Sequence, residues 1–346
     1  MNGLERIRKV LKFEDPDRVP VFPLVHFGTA HVGGVKIKKF ATDAKTNADC
    51  LITACRVCGY DGVHPGVDVT IEGEAVGSRV KCPEDNVPFV REPFLRSADI
   101  DKLEMPDPYK AGRMPMVIES TEICAQEIGE KAYICSVIMG PMNCASQIRG
   151  VEQLMYDFAD RPDFVEELLD FATQLEIRFG KALLDAGAHS FIIGEALCSP
   201  AFVSPQLYRK YIVPRHKKLI SALFDYGAES TILHICGDTS PIMEDYAGNT
   251  GTNMVDLDWQ VDMAAAKNLP STKKAGVTVR GNLNPAGKLL TGTPEEVINE
   301  CRVLIEKTAK GGRFILGSGC DVNPDSLPEN LKAMVEASKR FGQYPM

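Results

Sequence analysis

The sequence predicts a single α/β domain, a (β/α)₈ TIM barrel that covers residues 1–346. Two observations carry this prediction. Eight short runs rich in β-branched and apolar residues alternate with helix-length amphipathic segments, which is the order of elements in such a barrel. In addition, the composition does not shift along the chain, and the only internal repeat is the βα alternation. The length of 346 residues would fit two average domains, but it also fits one large barrel.

Each predicted strand is a short run bounded by Gly, Pro or Asp. The eight strands cover residues 19–27, 62–69, 132–139, 189–195, 230–236, 254–259, 277–282 and 313–318. In a barrel of this kind the reactive groups project from the carboxyl ends of the strands. The last residues of each strand are therefore where chemistry is expected.

The segments between the strands carry helix signals. Over residues 162–186, apolar residues such as Phe164, Leu168 and Phe171 recur at three- and four-residue spacing, which predicts one buried helix face. Residues 293–296 read Thr-Pro-Glu-Glu, a capping box with Pro at the first helical position. These signals predict helices that begin at residues 162 and 294.

Two stretches are too long for the minimal repeat. Residues 72–107 are Pro-rich and follow the second strand, and residues 141–160 follow the third. Long insertions in barrels are usually lids or substrate loops. We therefore expect residues 72–107 to form a loop excursion from the catalytic face.

Charge and composition exclude several classes of function. The chain has 39 Lys plus Arg against 47 Asp plus Glu, a formal charge of -8, which repels polyanions and argues against nucleic-acid binding. No apolar run approaches the ~18 residues of a membrane span, and the N-terminus lacks the apolar core of a signal peptide. Eleven cysteines, an odd number, fit reduced thiols better than a disulfide framework. We expect a soluble cytoplasmic protein.

Two predicted strands end in soft metal ligands. The fifth ends with His234 and Cys236, which two-residue spacing directs to the same side, and the eighth ends beside Cys320. One His and two Cys with an open fourth position is the donor set of a catalytic zinc site. A His-x-Cys pair alone is more often packed core, so the prediction depends on convergence of all three side chains.

Further polar residues lie near the predicted strand ends. Glu195 follows the fourth strand, where it could orient the zinc-bound group, act as an acid or base, bind zinc as a fourth ligand, or simply cap a loop. Asp68 and Asp258 end the second and sixth strands. Asp68 is a candidate to bind substrate and Asp258 a candidate for catalysis. One or more of these two and of Glu72 and Glu74, on the loop after the second strand, could hold the His234 imidazole by a hydrogen bond, and a solvated loop carboxylate is the alternative.

Two neutral side chains complete the candidates for substrate binding. His26 follows the first strand and could contact the substrate or a cofactor. Asn282 follows the seventh strand and could donate a hydrogen bond to the substrate, although its surroundings also fit turn chemistry.

A linked set of motifs in the C-terminal third resembles the methylcobamide:coenzyme M methyltransferases and related corrinoid methyltransferases of the uroporphyrinogen decarboxylase superfamily. The motifs cover residues 234–239, 281–285, 293–297, 319–320 and 328–331. A looser resemblance extends over nearly the whole chain, including residues 68–77 and 204–208.

The resemblance implies a (β/α)₈ fold and a zinc ion held by His234, Cys236 and Cys320. In the methyltransferase branch the zinc binds a substrate thiol such as coenzyme M. The resulting thiolate attacks the methyl group of a methylated corrinoid carried by a separate protein, which would be the partner of this chain. The oligomeric state stays open, with a homodimer as one alternative.

Two other reactions remain as alternatives. The reverse direction would demethylate a methoxylated or methylated compound onto the corrinoid. A uroporphyrinogen-type decarboxylase would need arginines near the first strand to pair with the substrate carboxylates, whereas residues 18–28 contain one Arg. The sequence therefore favours methyl transfer over decarboxylation.

Overall fold

The structure is a computed structural model that describes residues 1–66 and 68–346. Its strands are β1 (Gly62–Val63), β2 (Arg79–Lys81), β3 (Phe89–Glu92), β4 (Tyr133–Met139), β5 (Ser190–Gly194), β6 (Ser230–His234), β7 (Met254–Leu257), β8 (Thr278–Leu283) and β9 (Phe314–Ser318). Its α-helices are α1 (Gly3–Leu11), α2 (Phe27–Val32), α3 (Ile37–Thr42), α4 (Ala44–Cys58), α5 (Ile71–Val76), α6 (Met114–Ile128), α7 (Pro141–Arg149), α8 (Val151–Asp160), α9 (Pro162–Asp185), α10 (Pro205–Leu207), α11 (Val213–Tyr226), α12 (Met243–Gly248), α13 (Met263–Asn268), α14 (Pro270–Ala275), α15 (Lys288–Thr291), α16 (Pro294–Thr308) and α17 (Pro328–Phe341). Short 3₁₀ and π turns cover Ile100–Lys102, Ala196–Cys198, Tyr208–Ile212 and Ser240–Ile242.

A curled parallel sheet forms the centre of the fold. Its strand order is β1-β4-β5-β6-β7-β8-β9, and every neighbouring pair is parallel. The strands are buried along almost their whole length, as expected where helices cover one face of a sheet and the barrel interior covers the other. Since the strands are parallel, their carboxyl ends meet at one edge, where the candidate residues lie.

The predicted first strand is a correction to the eight-strand barrel. In the part of the chain that the structure describes, the parallel sheet has seven strands. Val21 forms a single parallel bridge with Leu316 of β9, and its carbonyl accepts from Asp61, next to β1. The segment thus lies between the two edge strands and gives a barrel-like ring. It forms no regular strand because Pro20 and Pro23 have no N–H to donate to a ladder.

The predicted helices agree closely with the structure. α9 begins at Pro162 as predicted and ends at Asp185, one residue early. α16 begins at Pro294, and its capping box is present: Thr293 accepts from the Glu296 backbone, and the Glu296 carboxylate accepts from the Thr293 backbone at 2.9 Å. Proline at the first helical position marks both starts, and a capping box adds to the second.

The two long stretches have secondary structure of their own. Residues 72–107 contain most of α5, an antiparallel hairpin of β2 and β3, and one 3₁₀ turn. Residues 141–160 are not a loop but the helices α7 and α8. Among the described residues, no helix combines the length and apolarity that a bilayer crossing requires.

Candidate metal centre

Three sulfur and nitrogen donors converge at the carboxyl edge of the sheet. His234 is the last residue of β6, Cys236 follows it by two residues, and Cys320 follows the end of β9 by two. The Cys236 Sγ lies 3.3 Å from His234 Nε2 and 3.6 Å from the Cys320 Sγ, and the Cys320 Sγ lies 3.7 Å from His234 Nε2. The sequence prediction that these side chains converge is confirmed.

These separations match the donor set of a tetrahedral zinc ion. Two sulfurs bound to one zinc ion at tetrahedral angles lie ~3.8 Å apart, and a sulfur and an imidazole nitrogen lie ~3.5 Å apart. All three side chains also line one cavity, so the fourth coordination direction is free to face it. The chemistry and the spacing of the donors therefore fit a catalytic zinc site.

Gly319 allows Cys320 to reach the other ligands. A Cβ atom at position 319 would lie 2.6 Å from the backbone nitrogen of Trp259, closer than carbon and nitrogen can approach. Only glycine permits this passage of the chain past the loop that follows β7. Backbone contact, in addition to the strand itself, therefore positions the third ligand.

Buried charges behind the three donors orient the imidazole. His234 pairs in register with Asp256 on β7, and Asp256 pairs in register with Arg280 on β8. His234 Nδ1 lies 2.9 Å from Asp256 Oδ2, and both Asp256 oxygens accept from Arg280 at 2.8 Å. Because the carboxylate accepts, Nδ1 carries a proton, and Nε2 faces the two sulfurs.

The pKa shifts follow from this arrangement. Burial opposes ionisation of Asp256, but the Arg280 guanidinium and His234 hold the pKa of that carboxyl well below its usual range. Burial lowers the pKa of His234, whereas its hydrogen bonds with Asp256 and Cys320 raise it to about 10. The hydrogen bond between the two thiols lowers the pKa of Cys236 and raises that of Cys320. Since metal ligands bind deprotonated, a cation would displace the protons that these groups otherwise share.

Asp256 and Arg280 were not among the predicted site residues. The carboxylates predicted as possible partners of His234 were Asp68, Asp258, Glu72 and Glu74. Asp256 makes that contact in the structure. A signal was present, because a carboxylate in the middle of the apolar run 254–257 and an arginine in the run 277–282 are both unusual for buried strands. What was lacking was the register between strands that brings these residues beside His234.

The cavity next to the three donors has a volume of about 260 Å³. His26 and Asp68, two of the predicted substrate-binding residues, line it. The buried Nε2 of His26 has no hydrogen-bond partner among the described residues. Asp68 is held by Arg113, whose guanidinium lies 2.7 Å from its carboxylate, and by the backbone of Thr70 at 2.8 Å. These two residues are therefore at the cavity that the metal ligands face.

Glu195 lies outside this cavity. Its carboxylate accepts from the backbone of Met142 at 3.1 Å and of Asn143 at 2.9 Å, the first turn of α7, and it lies 3.0 Å from His216 Nε2. A Cβ atom at Gly140 would overlap the carboxylate, so glycine provides the space for it. The alternation of side chains along a strand explains why Glu195 points away from the cavity. Ile192, Gly194 and Ala196 line the cavity, and the residues between them face the other side.

Glu195 also belongs to a second cluster of potential ligand atoms, with Cys198 and His216. All three side chains are fully buried. The carboxylate is engaged by the α7 backbone and the histidine. This cluster therefore acts as a hydrogen-bonded support for α7.

Asp258 and Asn282 stabilise the loops around the centre without lining the cavity. The Asp258 carboxylate accepts at 3.0 Å from the backbone of Gly237, the residue after Cys236. The Asn282 amide donates to the carbonyls of Asp258 at 2.9 Å and Val261 at 2.8 Å. Both side chains thus connect the ends of β6, β7 and β8.

Comparison with known proteins adds family relationships. The uroporphyrinogen decarboxylase (URO-D) family model matches residues 2–341. A methylcobamide:CoM methyltransferase (MtbA) of Methanosarcina mazei is 27% identical over 348 residues, which cover 97% of each chain. A uroporphyrinogen decarboxylase of Trichlorobacter lovleyi is 27% identical over 311 residues, covering 86% of this chain and 85% of the relative. A uroporphyrinogen decarboxylase of Chloroherpeton thalassium is 25% identical over 354 residues and covers 97% of each chain, so relatives of both names match over nearly the whole length.

The solved structures with a similar fold also include a methyltransferase. A methyltransferase from Methanosarcina mazei superposes with a TM-score of 0.89 at 25% identity, covering 99% of each chain. A B12-independent methionine synthase from Shewanella sp. superposes with a TM-score of 0.57 at 16% identity, covering 86% of this chain and 87% of that one. The second likeness concerns the fold alone.

Proposed function

The chain belongs to the uroporphyrinogen decarboxylase family, and from that premise we propose that it is a zinc-dependent methyltransferase. It transfers a methyl group between a corrinoid carried by a partner protein and a small-molecule thiol. The names of the methylcobamide:CoM and methylated-thiol–coenzyme M methyltransferases among its relatives support this class of reaction.

One observation carries the proposal: the donors of His234, Cys236 and Cys320 lie within 3.3 to 3.7 Å of one another beside an open cavity. A free thiol has a pKa of ~8.5 and is mostly protonated at neutral pH. A zinc ion held by these residues would supply the positive charge that removes the thiol proton and leaves a nucleophile. In the reverse direction the same charge would stabilise the leaving heteroatom.

The other residues of the chain position the reacting groups. Asp256 holds the His234 imidazole with Nε2 free for the metal, and Asp258 holds the backbone that follows Cys236. His26 and Asp68 line the cavity that would hold the substrate. Val87 and Pro88, between β2 and β3, line the same cavity, so this hairpin would face both the substrate and the docked corrinoid protein.

Decarboxylation of a polycarboxylated tetrapyrrole is the competing function, since relatives with that name also match. Such a substrate requires cationic side chains to pair with its carboxylates. Among the described residues that line the cavity, none is Lys or Arg, and two are Asp. The charge of the cavity therefore argues against this reaction.

Zinc analysis combined with a methylcobalamin assay tests the proposal. The purified protein is expected to hold one zinc ion and to demethylate methylcobalamin in the presence of a suitable thiol, followed by the absorbance of the corrinoid. Cys320→Ala should lose both the zinc and the activity while its circular dichroism and melting stay close to wild type. Cys82→Ala, at a partly exposed thiol outside the centre, is the matched control. An active protein that holds no metal would overturn the proposal.

A further inference from the structure

We propose that the cavity selects a methyl acceptor or donor that carries no negative charge and has a mainly apolar body. The inference rests on the proposed function and deepens it by naming the substrate class. It distinguishes this chain from the coenzyme M enzymes among its relatives, because coenzyme M is a sulfonate, 2-mercaptoethanesulfonate. Three features of the cavity carry the argument: its apolar walls, its charges and one free polar atom.

Apolar side chains make up most of the cavity wall. They come from several elements around the ring: Leu24, Phe27, Val69, Val137, Met139 and Ile192. A sulfonate or carboxylate that enters such a wall loses its hydration and regains few hydrogen bonds, which is unfavourable. A hydrocarbon or aromatic body instead gains from the burial of its surface.

The charged side chains of the cavity are negative. Among the described residues that line it, Asp68 and Asp321 are the only charged groups outside the metal donors, and none is Lys or Arg. A zinc ion with two cysteine thiolates has no net charge, so the centre itself does not offset these carboxylates. An anionic substrate would therefore meet repulsion in a site of low dielectric constant.

The nearest guanidinium behind the wall is already engaged. Arg113 lies 2.7 Å from the Asp68 carboxylate and 2.6 Å from the Glu74 carboxylate. The Asp68 and Glu74 carboxylates thus share one guanidinium, so these three side chains together carry a net negative charge. The Arg113 N–H groups also donate to the Ala41 carbonyl and the Thr70 hydroxyl, so the guanidinium has no spare donor to offer to an anion in the cavity.

His26 supplies a single polar anchor. Its Nε2 is buried and has no partner among the described residues, while its ring Nδ1 lies 3.6 Å from Asp321 and its backbone N–H donates to Asp321 at 3.0 Å. A buried polar atom without a partner is costly unless a ligand satisfies it. A substrate with one uncharged hydrogen-bonding group besides its reacting heteroatom would satisfy it.

Thiol binding to the Co²⁺-substituted protein tests the inference without relying on turnover. The sulfur-to-cobalt charge-transfer absorbance is titrated with 2-mercaptoethanesulfonate, 2-mercaptoethanol, cysteamine and 2-phenylethanethiol, and each affinity is corrected for the pKa of the free thiol. We expect the three thiols without negative charge to bind at least ~10-fold more tightly than the sulfonate, a difference of ~1.4 kcal/mol. Equal or tighter binding of the sulfonate overturns the substrate class alone. Absence of a spectral change with every thiol overturns the proposed function and the inference together.

A charge-gain variant provides an independent measurement. Val87 lines the cavity from the hairpin, and it is 44% exposed, so a longer side chain fits there without repacking the core. Val87→Lys should raise the affinity for the sulfonate relative to 2-mercaptoethanol at least ~3-fold, because it supplies the cation that the wall lacks. Val87→Gln, of similar length but neutral, is the matched control and should leave the ratio near that of wild type. An unchanged ratio in Val87→Lys contradicts the charge argument.

Discussion

The Asp256 carboxylate lies 2.9 Å from His234 Nδ1 and accepts from Nε and Nη2 of the Arg280 guanidinium, each at 2.8 Å. Arg280 in turn lies 3.1 Å from His64 Nε2. A fully buried ion pair therefore orients the imidazole of the candidate metal centre. Support of this kind determines both the tautomer of a histidine ligand and its direction.

Asp256→Asn should weaken metal binding ~10- to 100-fold, because the amide cannot enforce the Nδ1–H tautomer. It should also destabilise the fold by ~3 kcal/mol, since Arg280 is left as an unpaired buried charge. Metal affinity measured by competition with a chromophoric chelator, together with urea unfolding, separates the two effects. The double variant Asp256→Asn, Arg280→Met is the control: it should regain stability but not metal affinity. Wild-type metal affinity in either variant would contradict the role of Asp256.

Removal of the metal should expose two specific thiols. Of the eleven cysteines, all free, eight are buried, and Cys82, Cys236 and Cys320 are partly exposed. In the zinc-loaded protein we expect an alkylating reagent to label Cys82 alone, because the metal occupies the other two sulfurs. After chelation, peptide mass spectrometry should find all three labelled. Cys82 serves as the internal control for reagent access, and labelling of Cys236 that is indifferent to chelation would argue against a metal there.

Glu195→Gln should lower stability without changing metal content. The carboxylate accepts two backbone hydrogen bonds from α7, and an amide offers only one acceptor oxygen, so we expect a loss of ~1–3 kcal/mol. Thermal melting and zinc analysis of the same sample measure the two quantities. Cys320→Ala provides the opposite control, with metal lost and fold retained. A Glu195→Gln protein that melts normally but lacks zinc would instead support a direct role at the centre.

Glu72 should make stability depend on pH. It is fully buried, and burial raises the pKa of its carboxyl to about 7 even though it accepts a hydrogen bond from Met139 at 3.0 Å. An ordinary glutamate in the unfolded chain has a pKa of ~4.3. The contribution of Glu72 to stability is therefore fully present below pH ~4.3 and is lost as pH rises to about 7.

Glu72→Gln cannot ionise, so its stability relative to wild type should increase as the pH rises from 4 to 8. The neighbouring carboxyl of Glu176, whose pKa burial also raises, remains in both proteins. Urea unfolding at several pH values measures this. The exposed Glu84→Gln should show no such trend and is the control. A pH-independent difference for Glu72→Gln would mean that the carboxyl stays protonated or ionised throughout.

The sequence predicted well what depends on neighbouring residues. The starts of α9 and α16 follow from local capping and periodicity. The common direction of His234 and Cys236 follows from two-residue alternation, and the same rule, applied to the run 190–194, would have turned Glu195 away from the cavity. Alternation fails in the run 19–27, where prolines interrupt the hydrogen-bond ladder.

The amino-acid sequence by itself determined the order of the elements, the carboxyl-edge location of the candidate site and the identity of the three soft donor residues that converge there. These depend on backbone geometry over a few residues. Only the tertiary structure decided that Asp256 and Arg280 support the imidazole, and that a close backbone contact at Gly319 brings Cys320 to Cys236. It also decided that the cavity carries acids without bases. Each of these depends on the register and spacing of segments far apart in the chain. The conformational preferences of neighbouring residues do not determine how such segments meet.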